Sequence, residues 1–273
     1  MNKKVILLTG ASSGIGYETA EFLAKQGHIV YGAARRIEQM EPLKAFGVKP
    51  IRLDVTSQES IDEAVAAIVQ AEGRIDVLVN NAGYGSYGAL EDVSIEEARK
   101  QFDVNIFGVA MLTKKVLPYM REQHSGTIIN VASIGGRLTT YFGAWYHATK
   151  YALEALSDAL RMETKDFGIQ VSIIEPGGIK TPWGFIAADL LAESAKGGAY
   201  EQQASKTAEG MRKQYEGNMM SKPIVIAKAI SRAVNSRRPK TRYTVGFMAK
   251  PLVWLHTWLP ARWFDVLMRN ASI

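Results

Sequence analysis

Short apolar runs recur along the chain, separated by longer stretches in which apolar positions return every three to four residues. The runs at 4–9, 28–33, 49–53, 75–79, 127–131, 170–175 and 242–246 read as strands, and the stretches at 15–26, 57–71, 96–120 and 144–167 read as helices. Val77, Leu78 and Val79 are apolar at consecutive positions, the pattern of a strand covered on both faces. Strand–helix alternation of this kind builds right-handed βαβ units and a parallel sheet. The expectation is an α/β fold: a doubly wound parallel sheet of seven strands with helices on both faces. No repeat or linker interrupts the pattern, so a single domain spanning 1–273 is expected.

Two segments break the rhythm. Residues 183–220 are rich in Ala, Gly, Ser, Lys and Glu, and read either as a substrate lid or as a surface helical pair. The tail at 250–273 carries Trp254, Trp258 and Trp263, the first two sharing one helix face. Packing into the core or a subunit interface is the leading reading of the tail. Pocket walls, or a peripheral membrane contact helped by Arg262 and Arg269, are open alternatives that are not favoured.

Composition narrows the function classes. A hydrophobic content of 47% fits a packed core rather than a disordered chain. Cysteine is absent and four histidines are scattered, so neither disulfides nor a metal site is expected. The net charge of +6 comes without a dense basic stripe, which argues against a nucleic-acid partner. Apolar residues 5–8 are too short a run for a signal-peptide core, and no stretch approaches the roughly 20 residues of a membrane span. A cytoplasmic location is the expectation.

The first candidate chemistry follows the first strand. Thr9-Gly10-Ala11-Ser12-Ser13-Gly14-Ile15-Gly16 runs directly into a helical pattern. Glycines let a backbone approach a ligand closely, and a helix start offers unpaired N–H groups and a positive dipole end. Together these suit a pyrophosphate, as in a Rossmann-type sheet, although the spacing is G-x-x-x-G-x-G rather than G-x-G-x-x-G. The same residues also satisfy G-x-S-x-G, which would make Ser12 a hydrolase nucleophile with His256 as a candidate partner. Only one strand precedes the turn, so no upstream loop can supply the second oxyanion-hole donor, and this reading is set aside. After the second strand, where NAD-binding sheets usually hold an acid, the chain has Ala34, Arg35 and Arg36. Guanidinium groups there favour a 2′-phosphate, and therefore NADP(H).

Tyr146 and Lys150 lie four apart on a helical segment, so their side chains leave from one face. A phenol titrates near pH 10, and a neighbouring ammonium can bring it towards neutrality. With the glycine turn, Asp54-Val55, Asn80-Asn81-Ala82-Gly83, Asn105, Ser133 and Pro176-Gly177-Gly178-Ile179-Lys180-Thr181, the pair completes a set in a fixed order. In that set the chain resembles the short-chain dehydrogenase/reductase family, in its Tyr-x-x-x-Lys oxidoreductase subset, over about residues 5–181. It is also similar to the branch of 17β-hydroxysteroid, retinol and acyl-dihydroxyacetone-phosphate reductases.

The resemblance implies hydride transfer between NADP(H) and a carbonyl or secondary alcohol. Tyr146 would be the general acid/base, Lys150 would lower its pKa and hold the nicotinamide ribose, Ser133 would bind the substrate oxygen, and Asn105 would hold a relay water. Gly10, Ser12, Ser13, Gly14, Ile15 and Gly16 would take the phosphates, and Arg35 and Arg36 the 2′-phosphate. Asp54 and Val55 would contact adenine, Asn81, Ala82 and Gly83 would approach the dinucleotide, and Pro176, Gly177, Ile179 and Thr181 would border the carboxamide. Taken alone, Asn105 fits a satisfied buried amide and Ser133 a turn cap, and His147 is set aside as a base. Trp183, Phe185 and Ile186, with aromatic walls from Tyr84-Gly85-Ser86-Tyr87-Gly88 and Tyr141-Phe142-Gly143, point to an apolar substrate. A homodimer or homotetramer is the family expectation. The alternative is a catalytically silent NADP(H)-sensing or scaffold protein.

Overall fold

The computed structural model describes residues 3–272, so Met1, Asn2 and Ile273 of the expected domain lie outside the described residues. The first half runs β1 (Val5–Thr9), α1 (Gly14–Lys25), β2 (Ile29–Ala34), β3 (Lys49–Arg52), α2 (Gln58–Glu72) and β4 (Val77–Asn80). Then come α3 (Ile95–Phe102), α4 (Val109–Glu122), β5 (Gly126–Val131), α5 (Ala144–Glu163) and β6 (Ile169–Pro176). The last part is α6 (Trp183–Ser194), α7 (Glu201–Glu216), α8 (Ile224–Asn235), β7 (Arg242–Val245), α9 (Ala249–Trp258) and α10 (Ala261–Ser272). All seven expected strands are present, and the sheet order is β3-β2-β1-β4-β5-β6-β7 with every neighbouring pair parallel.

Alternation along each strand sends side chains to two cores. Ile6 and Leu8 join Leu23 and Ile230, the layer of α1 and α8, whereas Val5 and Leu7 join Ile61, Ile68 and Leu112, the layer of α2 and α4. Each fully buried Leu or Ile contributes about 1.5–3 kcal/mol, which is why consecutive apolar positions are required in every central strand. Strand order reverses direction between β1 and β4. There the carboxyl ends open a crevice, the place where such sheets bind ligands.

The expected helix at 96–120 is interrupted by a π-helical turn at Asp103–Gly108. Gly108 sits against β3's exit, where an added Cβ would stand 2.7 Å from the Val55 carbonyl oxygen. The helix at 144–167 ends at Glu163, and a 3₁₀ turn leads to Gly168 at φ 71°. Residues 183–220 form the helical pair α6 and α7. In the tail, the reading as core is excluded. Its tryptophans are not in the core: Trp254, Trp258 and Trp263 are 63%, 73% and 70% exposed, because α9 and α10 turn smaller apolar residues and Phe264 inward instead. Among the described residues, no helix is long and apolar enough to cross a membrane.

Candidate active site

The end of β1 is clamped to the end of β4. The Thr9 hydroxyl accepts from the Asn81 and Ala82 N–H groups, both at 3.0 Å, and Asn81 Nδ2 donates to the Thr9 carbonyl at 3.0 Å. This fixes the floor of the crevice under the glycine turn. Gly10 and Gly14 adopt φ 70° and 55°, which the turn requires. At Gly16 an added Cβ would stand 2.2 Å from the Gly10 carbonyl oxygen and 2.6 Å from Asn81 Nδ2. Gly16 therefore lets α1 start hard against the turn and does not itself line the crevice. Ser13 precedes α1 without a side-chain cap bond, and no acid occupies the first turn. The open N–H groups and uncompensated dipole fit the phosphates of a dinucleotide. Thr181 stands against Gly14, 3.3 Å from where its Cβ would be, so 176–181 closes over the turn. Ser12 is not among the non-glycine residues with positive φ, so the strained nucleophile elbow is not formed.

Arg35 and Arg36 are exposed at the rim beyond β2 and line the same cleft as Asp54 and Val55. Burial pushes the Asp54 carboxyl up, but the Thr56 N–H and hydroxyl, at 2.9 and 2.7 Å, and the Arg35 charge outweigh it and hold the group below its ordinary value. Thr56 engages one carboxylate oxygen, Oδ1; the second is the one that fits an exocyclic amine.

On the other side, α5 presents Tyr146 and Lys150 into the cleft. A buried polar chain seats this helix: Asn80 donates to Asn130 at 2.9 Å, and Asn130 donates to Ser157 at 2.8 Å. Lys150 Nζ donates to the Val131 carbonyl at 3.0 Å and lies 6.0 Å from the centre of the Tyr146 ring. Burial lowers the Lys150 pKa to about 8, against the pull of Glu154 one turn on. The tyrosine is buried in the same wall. Burial raises its phenol above the ordinary value, Tyr87 and Tyr215 add to this, and only a hydrogen bond from Ser133 works the other way. The Lys150 ammonium, bonded to Val131, is turned towards β5. The phenol is accordingly neutral at pH 7.

Ser133 does cap its turn, accepting from the Gly135 N–H at 3.0 Å, and its hydroxyl hydrogen remains to serve Tyr146. Asn105 is 1% exposed and does not line the cleft. Its amide is held by three bonds: Nδ2 donates to the Tyr84 carbonyl at 2.9 Å and to Thr149 at 3.0 Å, and Oδ1 accepts from the Tyr84 N–H at 3.1 Å, which leaves Oδ1 a second lone pair. The side chain thus fastens the π-helical turn to 83–84 and to α5. His147 is pinned, with Nε2 accepting from the Thr140 N–H at 3.0 Å and Nδ1 facing the Gly135 carbonyl at 2.9 Å. Burial holds it below its ordinary pKa, so it is a neutral strut and not a base.

Every other catalytic or cofactor-binding candidate named from sequence lines this cleft of about 1030 Å³. Its substrate wall is partly new. Tyr87, Trp183 and Tyr146 pack with centroids 5.1–5.8 Å apart, and Ile186 continues the wall. Phe185 turns away onto Tyr215, and Tyr141 and Phe142 stack on each other outside the lining. Tyr215, Leu138 and Leu252 were not legible as pocket residues, since helical periodicity gives a face but not its neighbour.

The family model for short chain dehydrogenases matches residues 4–185. A 3-ketodihydrosphingosine reductase from Bacteroides thetaiotaomicron is 38% identical over 272 residues, covering 98% of each chain. Among solved structures, a short-chain dehydrogenase from Streptomyces avermitilis is 37% identical with TM-score 0.80, covering 94% of this chain and 93% of its own. The closed form of a serine dehydrogenase complexed with NADP+ is 26% identical with TM-score 0.77, covering 89% and 94%.

Proposed function

The chain belongs to the short-chain dehydrogenase family, and on that premise we propose that it reduces a ketone on a long apolar substrate with NADPH, Tyr146 giving the proton. It is an oxidoreductase that takes a nicotinamide cofactor. One observation carries the reading. The neutral phenol of Tyr146, hydrogen-bonded by Ser133, stands in the same cleft as the glycine turn and Arg35.

When bound, the nicotinamide supplies the hydride. Tyr146 donates its proton to the carbonyl oxygen as that oxygen gains charge, and Ser133 orients the oxygen by a hydrogen bond. Lys150, held by Val131, supplies a positive charge that favours the phenolate left behind and donates to the ribose. Asn105 keeps the π-helical turn, residue 84 and α5 in register, and holds the relay water. Gly10, Ser12, Ser13, Gly14 and Ile15 hold the phosphates, and Arg35 with Arg36 selects the 2′-phosphate. Asp54 and Val55 take adenine, while Pro176, Gly177, Ile179 and Thr181 face the carboxamide. The protein acts in the cytoplasm as a homodimer or homotetramer.

Support for the substrate class comes from the wall of Tyr87, Trp183, Ile186 and Tyr215, and from the relative named for 3-ketodihydrosphingosine. The test is loss of NADPH absorbance with ketones of graded chain length, 3-ketodihydrosphingosine first. Tyr146→Phe should lower kcat by about 10²–10⁴-fold while leaving NADPH affinity in place. Unchanged turnover removes Tyr146 from the mechanism, and tight NADPH binding without turnover on any ketone returns the sensing or scaffold alternative.

A further inference from the structure

The two C-terminal helices are built inside out. In α9, Ala249 is buried and Leu252 lines the cleft, while Pro251, Trp254 and Trp258, spaced three and four residues apart, face outward. In α10, Phe264 is buried with its ring 4.8 Å from the His256 ring, while Trp263, Val266 and Leu267 are exposed. An ordinary surface helix turns its large apolar side chains to the core and its charges outward. Here two successive helices put their largest apolar side chains into water. Large exposed apolar surface of that kind marks docking surfaces.

Charge indicates what docks. Lys250, Arg262 and Arg269 are exposed on these helices, and Asp265 is their one acid. The whole chain carries +6. We propose that α9 and α10 form a docking surface for an anionic phospholipid bilayer. The tryptophans enter the headgroup layer, where a ring with one polar N–H is most stable, and the three cations meet lipid phosphates. A second copy of this chain fits less well. Two-fold pairing would set the same cations face to face, and a stable interface uses roughly 20–30 residues a side, far more than this patch offers.

The surface sits at the mouth of the cleft. Leu252 reaches the lining from the same helix as Trp254 and Trp258, and the Arg269 guanidinium stands 5.9 Å from the Tyr141 ring, next to the loop that enters α5. A bilayer bound there faces the opening used by apolar compounds. The docking itself does not depend on which reaction the cleft performs.

Vesicle co-sedimentation of the full chain tests this, using phosphatidylcholine with phosphatidylglycerol, and phosphatidylcholine alone. Binding should favour the anionic vesicles by on the order of tenfold, with a blue shift of tryptophan emission. The double variant Trp258→Ser, Trp263→Ser should bind on the order of tenfold more weakly at unchanged Tm, because both side chains are exposed. No binding by the wild type, or equal binding by the variant, overturns the proposal. So does a wild-type dimer that the double variant dissociates without any vesicle binding, since the face would then belong to a second copy.

Discussion

His147 donates from Nδ1 to the Gly135 carbonyl at 2.9 Å, and so ties α5 to the turn that carries Ser133. The direction is fixed by the other nitrogen, which accepts from the Thr140 N–H and therefore carries no proton. Replacing His147 by Ala leaves a buried carbonyl and a half-buried N–H unpaired. The expected loss is about 2–4 kcal/mol of stability, measured by urea unfolding, with kcat falling more than KM changes.

The same residue sets an acid limit. Burial lowers its folded pKa below the ordinary 6.5, so the folded state binds fewer protons than the unfolded one just below that pH. Its contribution to stability is complete above about 6.5 and declines as the pH falls. Relative to His147→Gln, the wild type should lose stability on acidification in that window. A constant difference between the two unfolding curves would show that the ring is not held neutral.

Glu154 gives the opposite slope. Burial and the neighbouring Glu175 raise its carboxyl to about 7, despite the Arg242 guanidinium at 3.0 Å. The folded state therefore keeps the proton longer, and this contribution is complete below about 4.5 and gone above about 7. Against Glu154→Gln, the wild type should weaken by on the order of 1–2 kcal/mol as pH rises through that range. The variant also removes the charge that supports Lys150, so the alkaline limb of kcat/KM should move to lower pH.

Gly16→Ala tests the phosphate turn. The new methyl would meet the Gly10 carbonyl at 2.2 Å, and neither backbone can retreat without opening the turn. Destabilisation of about 1–3 kcal/mol is expected, with weaker NADPH binding by calorimetry.

Arg35→Ala tests cofactor choice. Losing a charge-assisted bond to a 2′-phosphate should raise the NADPH Kd by about 10–100-fold and leave NADH nearly unchanged. A wild type that prefers NADH would reverse the assignment of Arg35 and Arg36.

Much of this protein is local physics and was readable along the chain. Strands buried on two faces must be apolar at successive positions, so all seven could be placed to within about two residues. Tyr146 and Lys150 share a face because a helix repeats every 3.6 residues, and Gly10 and Gly14 announce positive φ because other residues resist it. What sequence could not decide depends on neighbours distant in the chain. The π-helical turn at Asn105, the strut from His147 to Gly135, the Tyr215 and Leu252 walls and the outward tryptophans all follow from which helix packs on which. The phenol shows the division best. Spacing put a lysine within one turn of Tyr146, but packing turned that ammonium to Val131 and buried the ring beside Tyr87, raising its pKa where pairing alone would lower it. Periodicity fixes direction from the backbone, whereas desolvation is a property of the whole enclosing shell, and that shell exists only in the folded chain.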